Sequence, residues 1–233
     1  MASKSYQQSG HERTKHIGFT AKILNWLVGL PVVLTLTILF SVAVEWVGMN
    51  TLWKEQGVKH AHNMLVAEAN YLNKHFTESI LGSSPLEAAK VTVGYVNRKV
   101  FVPLGIDSYK RNTNLSGFER VVWEHVLAAY YILNVILIRL CVLLFSFPVY
   151  LLFAVVGFVT GLVERDLRRF GAGRESSDRY EISRKFIYPS ISLCFVIYLS
   201  WPNSLSPSLV IVPFATFFGW AIHLTVSNYK KYL

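Results

Sequence analysis

Residues 125–163 read HVLAAYYILNVILIRLCVLLFSFPVYLLFAVVGFVTGLV, and Arg139 is the one formally charged side chain among them. A helix that crosses a bilayer needs ~20 mostly apolar residues to cover a hydrocarbon core ~30 Å thick. Built as one helix at ~1.5 Å per residue, this run would measure about 58 Å, nearly twice that thickness. Either Pro148 divides it into two spans, or its first half stands outside the membrane or along its surface.

Apolar segments lie on both sides of it. Residues 23–47 form the first, with Trp26 and Trp46 near its ends, where interfacial aromatic belts sit. Ser41-Val42-Ala43 faintly resembles a signal-peptide cleavage site, but the apolar region is too long and its leader too extended. An uncleaved anchor is the better reading. Residues 186–201 and 209–226 are joined by Pro202-Asn203-Ser204-Leu205-Ser206-Pro207-Ser208, which is turn chemistry, so these two form a helical hairpin.

Charge arbitrates the central run. Residues 164–185 carry Arg165, Arg168, Arg169, Arg174, Arg179, Arg184 and Lys185 against five acids. The leader has Lys4, Arg13, Lys15 and Lys22, and the tail carries Lys230-Lys231. With a single central span, all three basic segments fall on the cytoplasmic side, as the positive-inside rule prefers. The sequence therefore predicts an all-α polytopic membrane protein with four transmembrane helices. Its expected order is a basic cytoplasmic N-terminus (1–22), helix 1 (23–47), a small helical periplasmic segment with a membrane-proximal helix (48–137), and helix 2 (138–163). An Arg-rich cytoplasmic loop (164–185), helix 3 (186–201), helix 4 (209–226) and a cytoplasmic tail (227–233) follow. The expected location is the bacterial inner membrane, with both termini cytoplasmic.

A net charge of +9 on a soluble chain would point to nucleic acid. In a chain that is 52% hydrophobic, cationic loops that orient the spans and touch anionic lipid explain it better, and direct nucleic-acid binding is not expected. Cys141 and Cys194 both fall in apolar segments and read as small core residues. Within the external segment, Val58, Ala61, Leu65, Leu72, Phe76 and Ile80 mark an amphipathic helix. Ser84-Pro85-Leu86-Glu87 starts a second helix that runs to about Val102, and Ser116-Gly117-Phe118-Glu119 starts the one that enters the membrane.

Four features could carry function. Arg139 at membrane depth must be paired or snorkel to an interface, and Glu45 is the expected partner. Gly157 and Gly161 form a small-xxx-small stripe, either between copies in a homo-oligomer or inside one chain. His60 and His62, two apart, do not share a helix face as zinc ligands would. No catalytic, cofactor-binding or metal-ligating constellation is recognisable, so the expectation is a protein that is not an enzyme. The stretch Glu164-Arg165-Asp166-Leu167-Arg168-Arg169-Phe170-Gly171-Ala172-Gly173-Arg174-Glu175-Ser176-Ser177 reads as a helix leaving the membrane, with Gly171 as a left-handed cap. It serves either as a lipid anchor or as a docking surface through Arg165, Arg168, Arg169, Arg174 and Glu175.

That stretch, with Glu45-Trp46-Val47-Gly48-Met49, Glu55-Gln56-Gly57, Tyr71-Leu72-Asn73 and the closing Lys230-Lys231-Tyr232-Leu233, resembles a family of inner-membrane proteins of integrating conjugative elements and related conjugative plasmids. Asp178-Arg179-Tyr180-Glu181 departs from the aromatic, histidine-containing run of that pattern. The resemblance implies a part in conjugative DNA transfer through a type IV secretion machine; no cofactor is expected, since the sequence carries no binding motif for one. Other membrane proteins of the machine, the coupling ATPase foremost, are the expected partners. A small transporter or channel, and an exclusion or immunity protein of the same elements, are the alternatives. A transporter would need polar groups converging within the spans, where the sequence offers Arg139, Asn134 and His223.

Overall fold

The computed structural model describes residues 19–75, 85–106, 117–171 and 177–229. Among them every element is helical: α1 (Phe19–Asn50), α2 (Val58–His75), α3 (Pro85–Val96) with a π-helical turn (Asn97–Phe101), α4 (Phe118–Phe145), α5 (Phe147–Phe170), α6 (Ser177–Ser200) and α7 (Pro207–Ser227). Four stretches are long and apolar enough to cross a membrane: Pro31–Asn50, Phe118–Phe170, Arg179–Ser200 and Pro207–Ser227. The expected fold class is therefore what the chain adopts. The chain divides into two compact units, residues 1–36 and 37–233. In the first, the Thr35 hydroxyl donates a hydrogen bond to the Pro31 carbonyl, 2.8 Å away, within the helix.

Pro148 breaks the central run without reversing it. Ser146, between α4 and α5, keeps helical torsions (φ −80°, ψ −8°), and its N–H still donates to the Val142 carbonyl at 2.9 Å. Pro148, two residues on, has no N–H to donate and its ring crowds the carbonyl four residues earlier, so the helix is interrupted there. The Ser146 hydroxyl donates to Leu143 O at 2.7 Å, so this buried side chain finds its acceptor locally. The two halves then pack on different partners: α4 lies against α2 and α3, and α5 lies against α7. α7 also packs on α6, which places α7 in the middle of the α5–α7–α6 layer.

Local sequence sets the element ends. Gly117 precedes α4 at φ 60°, a left-handed conformation that glycine adopts without steric cost. Gly171 differs from its expected role: at φ −88° it is not left-handed, and its N–H closes the last turn on Leu167 O at 3.0 Å. In α2, Ala61 and Leu72 are fully buried, as their spacing predicts; Phe76 and Ile80 lie outside the described residues, as do Ser84 and Ser116.

Candidate functional site

Arg139 is 1% exposed and Glu68, on α2, is fully buried. The Arg139 guanidinium donates to Glu68 Oε1 from Nε (2.9 Å) and Nη2 (2.7 Å), to the Trp201 carbonyl from Nη1 (2.7 Å), and to the Asn203 carbonyl from Nη2 (2.6 Å). Its carbon lies 5.4 Å from the centre of the Tyr198 ring, and the Tyr198 hydroxyl donates to the other Glu68 oxygen at 3.2 Å. Taking two charges out of water is costly unless the pair is close and its remaining hydrogen-bonding capacity is filled. Here the fork geometry of arginine meets a carboxylate and two carbonyls at once. Burial pushes the Glu68 carboxyl above its ordinary range, while the Arg139 guanidinium and the Tyr198 hydroxyl pull against that shift.

The expected pairing of Arg139 with Glu45 is thus corrected. Glu45, at the end of α1, is 2% exposed and faces His60 Nδ1 at 3.1 Å; His60 Nε2 in turn faces Asn203 Oδ1 at 3.1 Å. The His60 ring stacks on Trp53 with centroids 4.1 Å apart, and Gly48 is required beneath it, because a Cβ there would collide with the Trp53 indole. Asn203 joins the two clusters, its carbonyl on Arg139 and its side chain on His60. Between them lies a small cavity lined by Ser41, Glu45, Met64, Arg139, Leu199 and Trp201. His60 belongs to this knot while His62 sits edge-on to Tyr131, with centroids 5.1 Å apart. The arrangement fixes the ends of α1 and α6, the start and middle of α2, the C-terminal part of α4, and the 201–206 loop as one block.

Glu68 escaped the sequence reading, although its signal was present. Ala61, Met64, Glu68 and Leu72 are all buried at three- and four-residue steps. An acid standing where helical periodicity calls for an apolar residue marks a buried ion pair.

At the other end of the bundle, Gly157 and Gly161 face α7. A Cβ on Gly157 would strike the Gly219 carbonyl, one on Gly161 would lie 2.8 Å from His223 O, and one on Gly219 would lie 2.7 Å from Phe153 O. The stripe makes an internal helix contact of near-backbone closeness. Gly219 was not anticipated; buried Ala215 four residues before it supplies the matching small-residue stripe. Next to the glycines, Thr160 Oγ1 meets His223 Nδ1 at 3.0 Å and His223 Nε2 meets Glu164 at 2.7 Å.

The arginines expected to dock a partner divide. Arg168 turns onto the end of α7, donating to Ser227 O (3.0 Å), Asn228 Oδ1 (3.1 Å) and Glu164 (3.2 Å). It satisfies a terminal carbonyl and faces the negative end of that helix, which corrects its reading as a free docking residue. Arg165 is half-buried beside Asp166 at 3.5 Å. Arg169 is exposed, as are Leu167 and, at 92%, Phe170. Arg174 and Glu175 lie outside the described residues.

Residues 52–230 match the family model described as "DtrJ-like: IncC plasmid conjugative DNA transfer protein DtrJ-like", in agreement with the resemblance to proteins of conjugative elements. No curated protein and no solved structure matches the chain.

Proposed function

The chain belongs to the DtrJ-like family of conjugative DNA-transfer proteins, and from that premise we propose that it is a non-enzymatic, multi-pass component of the inner membrane within the conjugative type IV secretion machine, where it docks the coupling ATPase. The observation that carries this reading is the family match, which extends over most of the chain and includes every helix from α2 to α7. Four helices of spanning length and apolarity support the membrane location. The distribution of basic residues supports cytoplasmic termini and a cytoplasmic Arg-rich loop. Arg169 and Phe170 support the docking role: a planar cation and an aromatic ring, both exposed side by side, are the residue types that anchor interfaces. Arg165 and, in the sequence that follows, Arg174 and Glu175 are the further candidates for this docking role, and anionic lipid accommodates the remaining basic side chains.

The test uses a photo-reactive amino acid in place of Phe170, in donor cells that carry the transfer genes. Crosslinking to the coupling ATPase, lost with Arg169→Glu, supports the reading. An abundant, inserted protein that captures no ATPase overturns it. Deleting the gene separately from donor and recipient discriminates the exclusion alternative, since an exclusion protein acts in the recipient and a transfer component acts in the donor.

A further inference from the structure

α2 and α3 do not stand away from the spans; both run alongside α4. On α2, His62 meets Tyr131 and Glu68 meets Arg139, so α2 runs parallel to α4. On α3, Thr92, whose hydroxyl donates to Ala88 O at 2.8 Å, lies beside Cys141, and Phe101 meets the Tyr130 ring edge-on at 4.7 Å, so α3 runs antiparallel to it. Cys141 lies beyond Arg139 toward α5, and Arg139 is bonded to the carbonyls of Trp201 and Asn203, where α6 ends. The first half of α3 is therefore level with the ends of the apolar helices.

From Val91 to Lys99 its outward face is graded along that direction, and beyond it Val100, Val102 and Leu104 are exposed. Val91 is 69% exposed and Tyr95, one turn later, 61%, while Arg98 and Lys99 follow, both exposed. Ala89 and Phe101, on the inward side, are buried. Lys90 and Glu87 are exposed three residues apart on the same helix, a spacing at which opposite charges offset one another. The Lys90 stem is long enough to carry its ammonium outward. Leu144 and Phe147, which follow Cys141 at the α4–α5 junction, are also exposed.

We propose that this face of α3 rests in the lipid headgroup layer on the side of the 201–206 loop, with Val91 toward the acyl chains, Tyr95 at their boundary, and Arg98 and Lys99 on the phosphates of anionic lipid. Aliphatic, aromatic and basic side chains in that order along the normal fit the polarity gradient of a bilayer interface. The inference rests on the membrane-spanning reading and not on the role in DNA transfer.

The test places spin labels singly on Val91→Cys, Tyr95→Cys, Phe118→Cys and Val156→Cys in the full chain, since Cys141 and Cys194 are buried and the unsubstituted protein measures their background. The protein is reconstituted in phosphatidylcholine vesicles with and without phosphatidylglycerol. Collision with oxygen, which concentrates in lipid, is compared with collision with a water-soluble nickel chelate. Phe118, at the far start of α4 and about 30 Å from Arg139 along the helix axis, reports water. Val156, exposed on α5, reports lipid, and failure there sinks the spanning reading itself. Val91 should resemble Val156, with severalfold less nickel collision than Phe118, and Tyr95 should fall between them. Removing phosphatidylglycerol, or the double change Arg98→Gln with Lys99→Gln, should raise nickel collision at Val91 severalfold. Water exposure at Val91 equal to that at Phe118 overturns the proposal. So does shielding from both reagents, which would mean a protein covers the face, or indifference to phosphatidylglycerol.

Discussion

Arg139 and Arg168 do the same thing at opposite ends of the bundle: each reaches a carboxylate and the backbone carbonyl at the end of a neighbouring helix. Their surroundings differ. Arg139 is 1% exposed and its carboxylate none, whereas Arg168 is 26% exposed and Glu164 46%. Both join segments far apart in sequence, but Arg139 finds its carboxylate on Glu68, 71 residues away, while the carboxylate of Arg168 is Glu164 on the same helix, and only its carbonyl and amide acceptors, Ser227 and Asn228, are distant. A buried pair is costly to form and costlier to break, because either partner left alone is an uncompensated charge. A pair half in water is screened and replaceable. One end of the molecule is thus held by a unique set of charged contacts, and the other by close backbone packing with a solvated pair at its margin.

The strongest way to break this comparison is to remove one charge from the knot. Glu68→Leu or Arg139→Met should each destabilise the protein by about 3–5 kcal/mol, measured by unfolding in detergent beside its abundance in membranes. The double variant should recover most of that loss, since neither charge then lacks a partner. Single variants as stable as the parent would show that the pair does not hold this end.

The glycine seam comes next. Gly157→Ala puts a methyl group into the Gly219 carbonyl, and backbone cannot swing aside as a side chain can. A loss of about 1–3 kcal/mol is expected, as for overpacking in a core. Gly94→Ala supplies the opposite sign. Nothing lies within 4 Å of its added Cβ, so this helical position should gain about 0.4–1 kcal/mol.

How much of this was legible beforehand follows from which interactions are local. Helices and apolar runs of spanning length follow from hydropathy, which acts within a few residues; Pro148 marked where the central run could break, but the favoured reading carried helix 2 through it over 138–163, whereas the chain starts a new helix at Phe147. The need for Arg139 to be paired was legible too, because a charge inside an apolar run must be compensated. Its partner was not. Glu45 and Glu68 are both acids within reach of the same helix end, and only the descent of α2 along α4 decides between them. The glycine stripe was visible on α5, but the opposing helix is set by the tertiary layer in which α7 lies centrally. The Arg-rich stretch was over-read as a single surface, since sequence does not reveal that Arg168 points toward the end of α7 while Arg169 points away.

A smaller effect separates the two charged ends directly. Arg168→Ala should cost about 1 kcal/mol, with the loss shrinking at high salt, because a half-exposed pair is screened. The Glu68 variants should show no such salt dependence. Equal salt sensitivity at both ends would place both pairs in the same dielectric environment and dissolve the distinction.

The smallest effect on stability should fall on Arg169, and there the comparison turns to function. Arg168→Lys keeps the charge but loses the fork that reaches Ser227, Asn228 and Glu164 together, so it should lower stability slightly and transfer only in proportion to abundance. Arg169→Lys alters a side chain that is already exposed, so the protein should insert and accumulate as the parent does. If a partner carboxylate grips that guanidinium through two parallel hydrogen bonds, the lysine variant should transfer DNA poorly at unchanged abundance. Attraction to anionic lipid survives the exchange because the charge is retained. Donor-to-recipient transfer measured beside membrane abundance therefore distinguishes the adjacent arginines. Full transfer by Arg169→Lys would remove Arg169 from the docking surface and leave the stretch as a lipid-facing orientation signal.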